Sequence, residues 1–146
     1  MARYDALHEI LRTAGKADVD LDRQVWSLLK GHSDDGQVPH YADCWFSAAR
    51  HEGDPEARAT TDISAALSVL NDYMPGAGWK LERSEGAVQV CIDHFHEGYL
   101  IGDRMKDAAQ IAPQEIALAI MRNVAACIVT MLRIDREIAS AQENEP

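Results

Sequence analysis

The chain has 146 residues, of which 47% are apolar and 26% are charged, a balance typical of a soluble globular protein and not of a disordered or fibrous one. This length allows one domain with a sizeable core, so we predict a single domain over residues 1–146. The 24 acidic residues outnumber the 14 basic ones, and the formal charge of −10 argues against direct nucleic-acid binding, because such a surface repels phosphate backbones.

The cysteines and the first residues of the chain indicate a compartment. Cys44, Cys91 and Cys127 are an odd number with no close pair, which favours a reducing environment and predicts three small buried apolar side chains instead of a disulfide framework. The first ten residues contain Asp5 and no apolar run, which is not typical of a secretory signal. We therefore expect a cytoplasmic protein.

Two helices are predicted at the start of the chain. Residues 3–14 carry apolar side chains at helical spacing and precede a glycine. A second helix follows, for which Asp18 or Asp20 can provide the N-cap, and Gly31 lies at the C′ position that glycine favours. Residues 1–31 are therefore predicted to form an N-terminal helical pair.

Residues 32–59 are predicted to form a loop and an inserted segment, with a short helix within residues 39–58. The segment holds the densest aromatic patch of the sequence, with two arginines close by. Aromatic side chains can pack in a core or anchor a recognition surface, and guanidinium groups can hold an anion, so both interpretations stay open. The candidate binding residues are His40, Tyr41, Trp45, Phe46, Arg50 and Arg58.

The clearest local pattern lies in residues 60–79. Thr61 or Asp62 can accept a hydrogen bond from the first turn of a helix, and the apolar residues that follow at helical spacing predict a helix over residues 62–74. Pro75 and the glycines after it cannot continue this helix, so the chain is expected to turn and to enter a strand.

Alternation of apolar and polar residues then predicts a small antiparallel sheet. Residues 79–84 and 87–95 are expected to form a β-hairpin around Glu85-Gly86, and residues 99–104 are expected to return as a third strand after a turn at 96–98. Because a sheet of this size needs a helical cover to be stable, we expect helices on both of its sides.

The last element is a long helix, predicted over residues 113–138 with Pro113 in its first turn. Residues 116–134 are apolar enough to raise the question of a membrane span, but Arg122 and Asn123 lie within them, so we predict a buried or interface helix. The domain core is thus predicted over residues 60–140, followed by a polar, frayed tail over residues 141–146.

Apolar residues surround this helix almost completely, and a helix in an outer layer buries only one face. A second copy of the chain is the simplest cover, so we expect a homodimer. The alternative cover is the first two helices of the same chain. The expected dimer interface consists of Val124, Ile128, Met131 and Leu132.

The order of these parts resembles the phage ABA sandwich domain, a family of small phage and prophage proteins. The resemblance covers residues 21–132, and its most specific pieces are Tyr41, Thr60-Thr61-Asp62-Ile63, Ala65-Ala66-Leu67 and Trp79. The chain departs from the pattern where residues 42–59 separate the tyrosine from the threonine pair. The resemblance implies an α/β/α three-layer sandwich of the α+β class, and it brings no established activity or catalytic residues.

Sequence motifs for catalysis or metal binding are weak. Cys91, His94 and His96 are the one cluster with suitable ligand types, but on a strand the two histidines share a face while the cysteine points to the other, so we predict no metal site. The sequence has no nucleophile elbow and no phosphate-binding P-loop, and its paired acids are typical of solvated loops. We therefore assign no catalytic residues and no cofactor.

Two classes of function follow from these features, with an enzyme in third place. We expect a non-enzymatic binding protein, encoded by a phage or prophage, that inhibits a host antiviral defence by binding a protein partner in the host-cell cytoplasm. The alternative is a protein that binds a small nucleotide signal in a pocket between protomers. That pocket would be lined by aromatic residues and by Arg50, Arg58, Arg83 or Arg104.

Overall fold

The computed structural model of the chain describes residues 2–84, 87–107 and 115–144. Over these residues the chain forms five α-helices and one three-stranded antiparallel sheet, which is an α+β fold. The helices are α1 (Ala2–Thr13), α2 (Val19–Leu29), α3 (Asp43–Glu52), α4 (Ile63–Tyr73) and α5 (Ile116–Glu143). The strands are β1 (Gly78–Ser84), β2 (Ala87–His96) and β3 (Tyr99–Asp107).

The helix caps are local features, and the structure selects among the residues that the sequence offered. Asp18 caps α2 by accepting a hydrogen bond of 2.8 Å from the backbone N–H of Leu21. Asp62 caps α4 in the same way, with a bond of 3.1 Å from the N–H of Ala65. Gly31 follows α2 with a φ of 77°, the left-handed conformation expected at C′.

The short helix predicted within residues 39–58 is confirmed as α3. A 3₁₀ turn over His40–Ala42 leads into it, and Gly53, with a φ of 82°, ends it. A second 3₁₀ turn over Pro55–Ala57 then returns the chain towards α4. The inserted segment is thus a folded unit and positions its side chains through regular structure.

The predicted meander is confirmed, with the strand order β1-β2-β3. His96 pairs with Tyr99, and the two residues between them have φ values of 51° and 82°, the positive pair that a type I′ hairpin turn requires. The other expected turn, Glu85-Gly86, lies outside the described residues.

Helical cover reaches the sheet through α5, which contacts β2 and β3 on one face. Val90 and Ile92 are buried on that face, and the buried Asn123 donates a hydrogen bond of 2.8 Å to the carbonyl of Val90. On the other face Cys91 is buried, but Phe95 and Leu100 are exposed. Among the described residues the main helix contacts of the sheet come from α5 on one side, where we expected helices on both. The α+β class with a small helix-covered antiparallel sheet is confirmed.

The opposite side of α5 packs against α1 and α4, which explains why its apolar residues surround it. Val124, Ile128 and Met131 are buried in the core of the single chain, and Leu132 packs against that core. These four residues therefore do not form the exposed dimer interface that we expected, because the chain itself supplies their cover, as in the alternative.

The charged group within α5 also has a structural explanation. The guanidinium of Arg122 donates hydrogen bonds of 2.8 Å to the carbonyl of Leu11 and 2.6 Å to that of Ala14, at the end of α1 where carbonyl groups lack helical partners. The helix is long and apolar enough to cross a membrane, but 61% of its most apolar window is buried inside the chain. It is thus a core helix of a small domain.

Two further predictions need correction. Cys91 and Cys127 are buried as expected, but Cys44 is exposed, because it lies on the solvent side of α3 with its thiol 3.7 Å from the carbonyl oxygen of Tyr41. The last helix continues to Glu143, beyond the predicted end at 138 and into the segment that we predicted as a tail. Its predicted first residue, Pro113, lies outside the described residues.

Candidate functional site

A small aromatic core fastens α3 to α2, apart from the main core of the domain. Trp26 and Phe46 are each 3% exposed, and their ring centroids lie 5.6 Å apart in an edge-to-face arrangement. Phe46, which we predicted as a binding residue, is therefore a packing residue. Its role is to fasten α3 to α2.

Three rings extend outward from this core and form what we call the aromatic surface, made of His32, Tyr41 and Trp45. His32 stacks on the buried Trp26 at 5.1 Å between centroids and contacts Trp45 at 5.4 Å. Tyr41 lies 5.3 Å from Trp45 and 6.1 Å from His32. Each ring of the aromatic surface thus contacts the other two, while Tyr41 and Trp45 remain 56% and 53% exposed.

The local backbone explains why these rings meet. Tyr41 and Trp45 are four residues apart at the entry to α3, so their side chains lie one turn apart on the same side. His32 comes from the turn after α2 and reaches them from the neighbouring element. His40 is fully exposed, with its Nδ1 4.0 Å from a carboxylate oxygen of Asp43, and it does not join the three rings.

A buried carboxylate that the sequence pattern did not reveal supports the other side of α3. Asp22 is fully buried and accepts a hydrogen bond of 2.8 Å from Nη1 of Arg50. It also accepts bonds of 2.8 and 2.6 Å from the N–H and hydroxyl of Thr60, and one of 2.6 Å from the hydroxyl of Thr61. The threonine pair before the α4 cap therefore serves Asp22, and α2, α3 and the entry to α4 meet at this carboxylate.

Next to Asp22 lies an open groove of about 540 Å³, which we call the arginine groove. Three guanidinium groups and one carboxylate contribute to it, in a chain whose net charge is −10. Its lining residues are Val19, Arg23, Asp43, Phe46, Ser47, Arg50, His51 and Arg58. Two predicted binding residues, Arg50 and Arg58, thus come together, but on a different surface of α3 from Tyr41 and Trp45.

Hydrogen bonds hold the guanidinium groups of Arg50 and Arg58 in this groove, and ion pairs hold that of Arg23. Arg50 donates from Nη1 to Asp22 and, at 3.0 Å, to the carbonyl of Ala57. Arg58 donates from Nε and Nη2 to the carbonyl of Arg50 at 3.2 and 2.8 Å. Arg23 lies 3.4 Å from a carboxylate oxygen of Asp20 and over the ring of Phe46. The side chains of Arg83 and Arg104, also named as candidates, lie outside the described part of the structure.

A cluster of charged side chains lies at the C-terminal end of α2. Nζ of Lys30 lies 3.3 Å from Asp54 and 3.7 Å from Glu56. Burial raises the pKa of Glu56 above its ordinary value; Lys30 acts against this, and the negative charges of Asp54 and Asp72 add to it. These contacts join the end of α2 to the second 3₁₀ turn, so the cluster has a structural role.

Cys91 and His96 lie on opposite faces of the second strand, as the strand period predicts. Cys91 is buried on one face of β2, and His96 is on the other, where its Nε2 lies 2.6 Å from Oδ1 of Asp135. The possible ligand atoms of His96, Glu97 and Asp135 lie within 4.8 Å of one another. The His96–Asp135 contact links the hairpin tip to α5, and the absence of a metal site remains a prediction.

A second set of exposed apolar side chains lies on the sheet. Phe95 and Leu100 pair across β2 and β3 and are 71% and 62% exposed. They have no ring-to-ring contact among the described residues, unlike the aromatic surface. Both regions present apolar area to solvent, but only the aromatic surface is braced from the core outward.

Comparison with models of protein families, with curated proteins and with solved structures finds no match for this chain. The resemblance to the phage ABA sandwich domain therefore stays a prediction from the sequence pattern. The site has to be interpreted from its own residues. The sequence identified four of these residues as candidates, because aromatic and arginine residues are dense in the inserted segment: Tyr41, Trp45, Arg50 and Arg58. No sequence pattern marked the other four as part of a site: Asp22, Arg23, Trp26 and His32.

Proposed function

We propose that this protein is a non-enzymatic binding protein that recognises a protein partner through the aromatic surface of His32, Tyr41 and Trp45. The observation that carries the proposal is the mutual contact of three rings, two of which are more than half exposed. Aromatic side chains of this kind are the usual energetic centres of protein interfaces, since they bury a large area at a small cost in conformational entropy.

Preorganisation supports this choice over the exposed residues on the sheet. His32 is held against Trp26, which is itself held against Phe46, so the rings need little ordering when a partner binds. Phe95 and Leu100 lack such bracing among the described contacts. The net charge of −10 favours a partner with a basic surface, because opposite fields speed association and disfavour acidic competitors.

The biological setting that we propose follows from the sequence resemblance. A phage or prophage origin would place the protein in the cytoplasm of a bacterial host. In that setting a small binding protein without catalytic residues acts by occupying the surface of another protein, and we propose a component of a host antiviral defence as the partner.

A second candidate function is the binding of a small nucleotide signal. The specific observation in its favour is that Arg50 and Arg58 line one groove. The pocket between protomers that we first expected requires a dimer, and the α5 residues that we assigned to the dimer interface are buried within one chain. In its present form this candidate uses the arginine groove of a single chain.

Native mass spectrometry after incubation with a lysate of a bacterial host tests the proposal against the second candidate. We expect a complex whose added mass corresponds to a protein, formed by the wild type and lost in Trp45→Ser. An added mass of a few hundred daltons in the wild type and in Trp45→Ser alike would favour the nucleotide instead. If neither complex forms in lysates of several hosts, both functions are contradicted.

A further inference from the structure

Although the chain as a whole is acidic, the charged side chains that line the arginine groove are mainly basic. Its lining holds the guanidinium groups of Arg23, Arg50 and Arg58 and a single carboxylate, that of Asp43. The chain as a whole carries 24 acidic residues against 14 basic ones. Three guanidinium groups around one open groove repel one another, and an anion between them would reduce that repulsion.

The carboxylates near the groove neutralise its cations unequally. Arg50 is paired at 2.8 Å with the buried Asp22. Arg23 is shared between Asp20 at 3.4 Å and Asp43 at 3.9 Å, distances that are long for a charge-assisted hydrogen bond. Arg58 has no carboxylate partner among the described residues. An anionic ligand would therefore compensate the charge of Arg58 and add a closer partner to the long ion pairs of Arg23.

The guanidinium of Arg58 is also held in a fixed position. Its Nε and Nη2 donate to the carbonyl of Arg50, whose own side chain is fixed by Asp22 and by the carbonyl of Ala57. A guanidinium has five N–H donors, so these two atoms leave Nη1 of Arg58 for a ligand. Because the group is already ordered, binding costs little side-chain entropy.

From this geometry we infer that the arginine groove binds a phosphate group, either inorganic phosphate or the phosphate of a small ester. Several oxygens on one centre match donors that approach from different sides, and hydrogen bonds from guanidinium groups to phosphate are charge-assisted and therefore strong. The hydroxyl of Ser47 and the imidazole of His51 line the same groove and add further hydrogen-bonding groups.

The lining favours a phosphate group over a nucleobase. Phe46 is the one aromatic ring among the lining residues besides His51, and it is 3% exposed, so its face is not available for a base to stack on. The inference does not rest on the proposed protein partner, because the aromatic surface and the groove share no residue. The nucleotide candidate does require this site.

Isothermal titration in a chloride buffer with inorganic phosphate and adenosine monophosphate tests the inference. We expect saturable binding of phosphate by the wild type, and a loss of about tenfold or more in affinity in Arg58→Gln and in Arg23→Gln, the effect of one charge-assisted hydrogen bond. Arg12→Gln is the matched control, since Arg12 is an exposed arginine of α1 bonded to Glu9, and its affinity should equal that of the wild type.

The two groove variants make the test independent of folding. Arg58→Gln removes two hydrogen bonds to the backbone. The side chain of Arg23 is 38% exposed and makes ion pairs of 3.4 and 3.9 Å, so its replacement should leave the circular dichroism spectrum and the unfolding midpoint unchanged. Absence of saturable phosphate binding, or equal affinity in both variants and the wild type, would overturn the inference. Equal affinity for phosphate and adenosine monophosphate would support the site and remove the nucleotide candidate, and neither result would affect the protein partner.

Discussion

Asp22 illustrates what single residues contribute to this fold. In the sequence it is one of several acids in a predicted helix, and nothing nearby distinguishes it. In the structure it is fully buried, and its partners Arg50, Thr60 and Thr61 lie 28 to 39 positions further along the chain. Capping patterns and periodicity reveal Asp18 and Asp62, because their partners are three residues away, but they cannot reveal a carboxylate whose role depends on tertiary contacts.

Replacing Asp22 with Asn should therefore be costly. The amide keeps the shape but loses the charge that Arg50 and the two threonines share, and breaking a buried pair of this kind costs about 3 kcal/mol. Chemical denaturation measures the difference. Asp43→Asn is the control, since Asp43 is half exposed and 3.9 Å from Arg23, and we expect a change below about 0.5 kcal/mol. Equal stability of Asp22→Asn and the wild type would contradict the assigned role.

Glu56 leads to a prediction about pH. Its pKa is raised in the folded state, so the folded protein holds this proton more tightly than the unfolded chain does. The stability that the proton contributes is fully present below the ordinary pKa of 4.5 and is lost as the pH rises through the raised value. Glu56→Gln lacks this titration and should become more stable relative to the wild type as the pH rises from 4 to 7.

Glu9 supplies a control of opposite sign. The hydrogen bond from Arg12 lowers the pKa of Glu9, so its contribution is present above the ordinary pKa and is lost as the pH falls. Thermal unfolding of Glu9→Gln and Glu56→Gln at several pH values should give trends in opposite directions. A stability difference between Glu56→Gln and the wild type that does not change with pH would rule out the raised pKa.

At the scale of elements, sequence and structure agree where the signal is local. The four longest predicted helices and the three strands were placed from caps, periodicity and turn residues, and they are present with shifts of a few residues at their ends. The inserted segment was harder, because α3 is short and is held by Trp26 from α2 and not by its own pattern. The exposed side, which carries Trp45 of α3 and Tyr41 of the preceding 3₁₀ turn, could not be told from the buried side until the contact of Phe46 with Trp26 was known.

The hairpin between β2 and β3 offers a test of turn geometry. Gly98 has a φ of 82°, and the space that the Cβ of an alanine would occupy is open. Gly98→Ala should therefore be destabilised by about 1 kcal/mol through backbone strain alone. Gly15 has the same open space without a positive φ, and Gly15→Ala should be neutral or slightly stabilising. Urea denaturation compares the two. A loss of stability of similar size in both variants would show that the turn is not of the type described.

At the scale of the whole molecule, the apolar residues all around α5 correctly predicted that the helix is buried on more than one side. The prediction that a second chain buries it was wrong. Sequence periodicity counts apolar residues around a helix and does not say which element covers each side. In the structure the sheet covers one side of α5, and α1 and α4 cover the other. The central position of this helix could not be derived from its own residues, because it depends on how the other helices are arranged.

This arrangement predicts a monomer that is sensitive to change in α5. Light scattering should give about the chain mass of 16.1 kDa. Ile128→Glu should unfold the protein, since it puts an unpaired charge at a buried position, whereas Ala139→Glu on the exposed end of the same helix should remain folded. A wild type of twice the chain mass, converted by Ile128→Glu to a folded monomer, would restore the dimer interface that we first expected.

The central claim is that Tyr41 and Trp45 anchor a protein partner, and the affinity of the captured partner for matched variants tests it most directly. The partner recovered with the wild type should bind Trp45→Ser about thirtyfold more weakly, the change expected for the loss of about 2 kcal/mol at an interface anchor. Phe95→Ser, which removes a ring from the sheet that is even more exposed than Trp45, should bind as the wild type does. Full affinity in Trp45→Ser, with the loss in Phe95→Ser instead, would contradict the account.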